Sequence, residues 1–195
     1  MIVALIGCSE FAIRKEPEPP PADPPERDPD AAFGDPPDWT TCEAAWFGQY
    51  FNLSEPPEDV PDGAEDSALW ETRAFSRRDT SLDHGASWWP VDEGLAGDPD
   101  YFTARWTAWL RVTGGDTMEV VLGAQTVAWL LVDGEEVLRV EGAEGLEVGS
   151  YTIPVETGQF PIELRFAQLV EGESGLRFRI AGLEGAWCYP DFSAP

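Results

Sequence analysis

The stretch Phe102-Thr103-Ala104-Arg105-Trp106-Thr107-Ala108-Trp109-Leu110-Arg111-Val112 alternates with a period of two. Phe102, Ala104, Trp106, Ala108, Leu110 and Val112 fall on one side. Thr103, Arg105, Thr107 and Arg111 fall on the other, together with Trp109. Successive side chains of a strand point to opposite faces, so the pattern lays an apolar stripe along one face of a sheet. Trp109, on the polar side, is a candidate for an exposed aromatic or for contact with Trp187.

The same alternation recurs nearby. Phe160, Ile162, Leu164 and Phe166 alternate with Glu163 and Arg165, and Leu176, Phe178 and Ile180 with Arg177 and Arg179. Between such runs stand turn residues. Gly114-Gly115 separates two strands. Asp133-Gly134 lies between Val127–Val132 and Val137–Val140, and Asp-Gly is a preferred two-residue hairpin turn. Upstream, residues 46–51 (Trp-Phe-Gly-Gln-Tyr-Phe) form a first strand, followed by a loop from Ser54 to Asp66. No helical period is sustained and no internal repeat is visible. The expected fold class is all-β, an antiparallel β-sandwich. Hydrophobic residues at 43%, with nine tryptophans, supply a core for it.

The first 41 residues read differently. Ile2 to Gly7 are apolar or small, and Leu5-Ile6-Gly7-Cys8 resembles the lipobox of bacterial lipoproteins. That resemblance implies a lipid on Cys8 and makes residues 1–8 a signal remnant. No basic residue precedes Cys8, and the apolar run is shorter than the roughly 7–15 residues of a signal peptide, so the true start is expected upstream. The other reading of this run is a short buried strand. Residues 9–41 follow as a disordered, Pro-rich acidic tether, with prolines at 17, 19, 20, 21, 24, 25, 29, 36 and 37. Proline lacks the N–H and fixes φ, so such a segment favours an extended spacer. The sandwich domain is expected at 42–190, with a tail at 191–195.

Charge narrows the partners. Net charge is −25, from 37 acidic and 12 basic residues. Nucleic acid is excluded as a partner, because its affinity comes mainly from Lys and Arg on phosphates. Anionic lipid is disfavoured for the same reason. No apolar run approaches the ~18–20 residues of a membrane span, so the membrane is reached only through the lipid on Cys8. Catalysis is not expected. His84 is the single histidine, no G-x-S-x-G elbow is present, and Asp83-His84-Gly85 reads as a polar turn. The acidic residues concentrate in turns and loops. Cys8, Cys42 and Cys188 are too widely spaced for a zinc pattern. Trp88-Trp89, before Pro90, read either as residues stacking on sugar rings or as packing residues closing the sandwich end.

Four landmarks in order resemble the PA14 domain family of β-sandwiches. They are residues 47–52 (Phe-Gly-Gln-Tyr-Phe-Asn), residues 104–110 (Ala-Arg-Trp-Thr-Ala-Trp-Leu), the hairpin of residues 129–138 around Asp133-Gly134, and residues 160–166 (Phe-Pro-Ile-Glu-Leu-Arg-Phe). The resemblance spans about residues 44–183 and implies a non-catalytic module of a kind that binds carbohydrate in several members. Sugar-binding members hold calcium on two adjacent aspartates before the hairpin strand. Here those positions are Gln125 and Thr126, whose oxygens carry no charge, which argues against calcium. No cofactor and no metal is therefore assigned. Gln125 and Thr126 either bond a ligand directly or belong to a loop that has lost it; Asp133 and Trp109 complete the candidate ligand set. The family brings its chain ends together, which implies a Cys42–Cys188 disulfide in an oxidising compartment. The expected function is an extracytoplasmic envelope lipoprotein whose PA14-like module binds a glycan or another surface polymer. The alternative is an interaction or structural subunit docking an envelope protein without binding glycan.

Overall fold

The structure, a computed structural model, describes residues 36–54, 57, 59–86, 88, 91–92, 95–96, 100–114, 117–142, 145–181 and 186–188. Cys8, the tether up to residue 35 and the tail at 191–195 lie outside them.

The described chain runs through β1 (Trp46–Asn52), a 3-10 turn (Ser67–Trp70), β2 (Thr72–Asp79), β3 (Gly85–Ala86), β4 (Val91–Asp92), β5 (Leu95–Ala96), β6 (Phe102–Val112), β7 (Thr117–Ala124), β8 (Val127–Val132), β9 (Glu135–Glu141), β10 (Glu147–Pro154), β11 (Gly158–Gln168), β12 (Gly175–Ala181) and β13 (Ala186–Cys188). One sheet has the order β2-β1-β6-β11-β8-β9, with β13 also on β6. A second has the order β10-β7-β12-β3, and β4 pairs with β5. Every pairing is antiparallel. The all-β sandwich expected from alternation is the observed architecture. Asp133 and Gly134 turn the β8–β9 hairpin with φ of 54° and 81°, the pair of positive φ values that a type I′ turn requires and that glycine takes without strain.

The main core lies between the two large sheets. Phe102, Ala104, Trp106, Ala108, Leu110 and Val112 all face it and are fully buried or nearly so, as the period of β6 requires. They meet Met118, Val120 and Leu122 of β7 and Phe178 of β12. The opposite face of β6 differs from expectation. Thr103, Arg105 and Trp109 are also buried. β6 is a central strand, and the connection from Leu53 to Glu71 crosses the outer face of its sheet. Leu53, Ala64 and Leu69 of that connection build a second apolar cluster there with Val127, Trp129, Leu131 and Ala167. Strand β2 (Thr-Arg-Ala-Phe-Ser-Arg-Arg-Asp) and strand β10 carry little apolar alternation and are recognisable only from their pairing.

Candidate functional site

Cys42 and Cys188, 146 residues apart, are joined by a disulfide with Cα atoms 5.8 Å apart. Ahead of it, Asp38 caps a turn: its carboxylate accepts from the backbone N–H and hydroxyl of Thr40, at 2.9 and 2.7 Å. Both bonds hold its pKa below the usual carboxylate value. Next to it, Trp39 donates its indole N–H to Gln159 at 2.6 Å, and Arg111 lies 5.8 Å from its ring.

The expected ligand residues do not converge. Trp109 was the candidate exposed aromatic, and it is 7% exposed. It lies in register between Pro161 and Cys188, on the covered outer face. Thr126 is 5% exposed. Its hydroxyl sits 3.5 Å from both the Gln168 side chain and the Leu169 N–H, and its carbonyl accepts from Gly142 at 2.8 Å. Gln125, half-buried, donates its backbone N–H to Gly175 at 2.9 Å. These two open strand β8, whereas Asp133 closes it. Six strand residues separate them, about 20 Å at the usual rise per residue. Asp133 instead donates its N–H to Pro161. Among the described residues no group of three His, Cys, Asp or Glu side chains could hold a metal ion.

Two polar clusters that the alternation does not announce are assembled on β6, one on each face. On the inner face, Tyr50 donates to Asp79, and the Trp106 indole N–H donates to the same carboxylate oxygen at 3.0 Å. Arg77 donates to the other oxygen at 2.8 Å, with its guanidinium 5.0 Å from the Tyr50 ring. Burial, reinforced by the Asp79 charge, drives the Tyr50 pKa far up. Gly48 makes this arrangement fit, since a Cβ there would lie 2.5 Å from Asp79 Oδ2 and 2.9 Å from Trp106. His84 stacks on Trp88, ring centroids 4.0 Å apart and planes 5° off parallel. Burial lowers its pKa to about 4, with Arg77 adding to the effect and Asp79 and Asp83 opposing it. Trp88 in turn contacts Tyr50, Phe102, Trp106 and Phe166, so it closes the sandwich, the packing reading of the two. Ser87 and Trp89 lie outside the described residues. His84 Nε2 has no hydrogen-bond partner among the described residues.

On the outer face a cross-strand row runs Ser76, Gln49, Arg105, Arg165, Trp129, Arg139, each in register with the next. Arg105 donates to Gln49 Oε1 at 3.0 Å and lies 3.7 Å from Glu163. Arg165 donates to Glu163, to the Ala64 carbonyl at 2.8 Å and to Glu65 at 2.7 Å. Burial weakens the hold of Arg165 on its proton, but Glu163 and Glu65 outweigh it and raise the pKa. Above the row, residues 59–71 form a strap. Its Trp70 ring lies 5.7 Å from both guanidinium carbons, and its Asp62 carbonyl accepts from Arg139 at 2.7 Å. Arg105 and Arg165 were visible in the sequence as polar positions of alternating strands. Their union with residues 62–70 was not, because it joins Arg105 to Trp70 and Arg165 to residues 100 and 101 positions away.

No family model matches the sequence, and no curated protein matches it. Solved structures share the fold. The Epithelial Adhesin 9 A domain from Candida glabrata, in complex with Galb1-3GlcNAc, superposes with a TM-score of 0.55 at 8% identity, over 80% of this chain and 94% of that one. The Epithelial Adhesin 6 A domain from the same organism, also with Galb1-3GlcNAc, gives 0.54 at 8% identity over 80% and 92%. An anti-sigma factor domain-containing protein gives 0.51 at 16% identity over 73% of this chain. The chain spans only 43% of that protein. At these identities the likeness is one of fold.

Proposed function

We propose that this chain is a non-catalytic, PA14-like binding module for carbohydrate or another surface polymer, displayed outside the cytoplasm. The supporting observation is the fold shared over four-fifths of the chain with adhesin A domains that hold a disaccharide. Fold alone does not carry function. One feature of this chain agrees with the reading: the disulfide that closes the sandwich suits an oxidising compartment. A lipid on Cys8 and the proline-rich tether would hold the module away from the membrane surface. Binding would not need calcium, since Gln125 and Thr126 bring no charge and the Thr126 hydroxyl faces Gln168 and Leu169.

The test is a glycan array probed with the oxidised chain, with calcium and with chelator. Selective binding that survives chelation supports the proposal. An oxidised, folded protein that binds no glycan sinks it and leaves docking to an envelope protein as the function.

A further inference from the structure

The outer-face row carries three arginines in a chain with only 12 basic residues, and it is imperfectly capped. The strap meets Arg139 and Arg165 with the backbone carbonyls of Asp62 and Ala64, and lays the Trp70 ring 5.7 Å from the Arg105 and Arg165 guanidinium carbons. Among the described residues Glu65 makes an ionic contact with the row; its side chain is 78% exposed and reaches Arg165 from the solvent side. Beneath the strap, Trp129 Nε1 and Arg139 Nε are buried without a hydrogen-bond partner among the described residues, as is Ser76 Oγ at the far end of the row. Those are three of the five such atoms found there, and all three belong to this one row. A buried donor left unpaired costs on the order of 1–3 kcal/mol, so native structures rarely keep several together without a use for them. Trp129 and Arg139 are directly opposed residues. Arg139 already pairs with the Glu141 carboxylate at 2.6 Å and with the Asp62 carbonyl, which leaves its Nε and the Trp129 indole N–H without an acceptor among the described residues.

We infer that this row is a binding site for the carboxylate of an acidic sugar, and that Glu65 is the built-in carboxylate holding its place. A planar carboxylate matches the fork of a guanidinium and accepts several N–H bonds at once. A uronate entering as Glu65 swings out would take over the pairing with Arg165 and offer oxygens to Arg139 and Trp129. The net charge of −25 opposes an anion at long range, but at physiological ionic strength that field is screened beyond about 8 Å, whereas the row acts in contact. This inference rests on the glycan-binding reading above and specifies its ligand class.

Titration calorimetry with a glucuronate-terminated oligosaccharide and its glucose-terminated counterpart tests it, on the full chain and on Glu65→Gln and Arg139→Gln. The acidic sugar should bind at least about tenfold more tightly than the neutral one, which corresponds to 1.4 kcal/mol. Glu65→Gln, an exposed change, should tighten the acidic sugar alone, and Arg139→Gln should weaken it. Unfolding midpoints confirm that each variant is folded. Equal binding of the two sugars, or no change with Glu65→Gln, overturns the carboxylate site and leaves the general reading standing. No binding of either sugar, joined with a blank glycan array, overturns both.

Discussion

Arg105 and Arg165 stand directly opposite each other on neighbouring strands, both buried, two like charges at a position where such pairs normally destabilise a sheet. Glu163 resolves the conflict. It lies two residues along β11 on the same face, opposite Thr107, is 13% exposed at its side chain, and reaches both guanidinium groups. Trp70 covers the pair from above.

Glu163→Gln should therefore cost more than a surface ion pair would. Removing one partner of a buried charge network leaves the other charges uncompensated, and about 2–4 kcal/mol of stability should be lost. Urea unfolding monitored by tryptophan fluorescence measures it. A loss under about 0.5 kcal/mol, the range of ordinary surface changes, would show that Gln49 and Glu65 suffice.

Gly48→Ala should destabilise through the inner cluster. The added methyl would meet Asp79 Oδ2 and the Trp106 ring below contact distance, and overpacking of this kind typically costs about 1–3 kcal/mol. Tyr50→Phe in the same background is the control. If the clash has already broken the Tyr50–Asp79 bond, the second change should add little, because neighbouring effects are not additive.

Stability should fall as pH drops from about 6.5 towards about 4, in part because of His84. Its folded pKa is depressed to about 4, so the unfolded chain takes up a proton first. The contribution is intact above pH 6.5 and is lost on the way down, up to about 3 kcal/mol in all. His84→Phe keeps an aromatic against Trp88 and should flatten this part of the profile. Thermal midpoints of both proteins between pH 7 and 4.5 give the comparison, and parallel curves would refute the assignment.

Reducing the disulfide should lower stability by about 4–5 kcal/mol in the chain-entropy account, because it closes a loop of 146 residues. Cys42→Ser and Cys188→Ser should each reproduce the loss, and the double variant should add nothing further. Intact mass with and without reductant checks that the bond is present at the start.

Alternation in Phe102–Val112, Phe160–Phe166 and Leu176–Ile180 determined the sandwich, since the two-residue period of a strand is a local property that any stretch displays by itself. Asp133-Gly134 determined its hairpin for a similarly local reason, the positive φ both residues adopt. The disulfide became legible once a resemblance brought the chain ends together. Tertiary structure alone decided the rest. Trp109 reads as exposed from its own strand, yet what covers the sheet's outer face comes from elsewhere in the chain. Gln125 and Asp133 look close in sequence, but a strand runs between them and holds them apart. The outer row needs the register of six strands and a strap reaching Arg165 from 100 and 101 residues away. Such contacts follow from how sheets pair and which connection crosses them, and no local pattern encodes that.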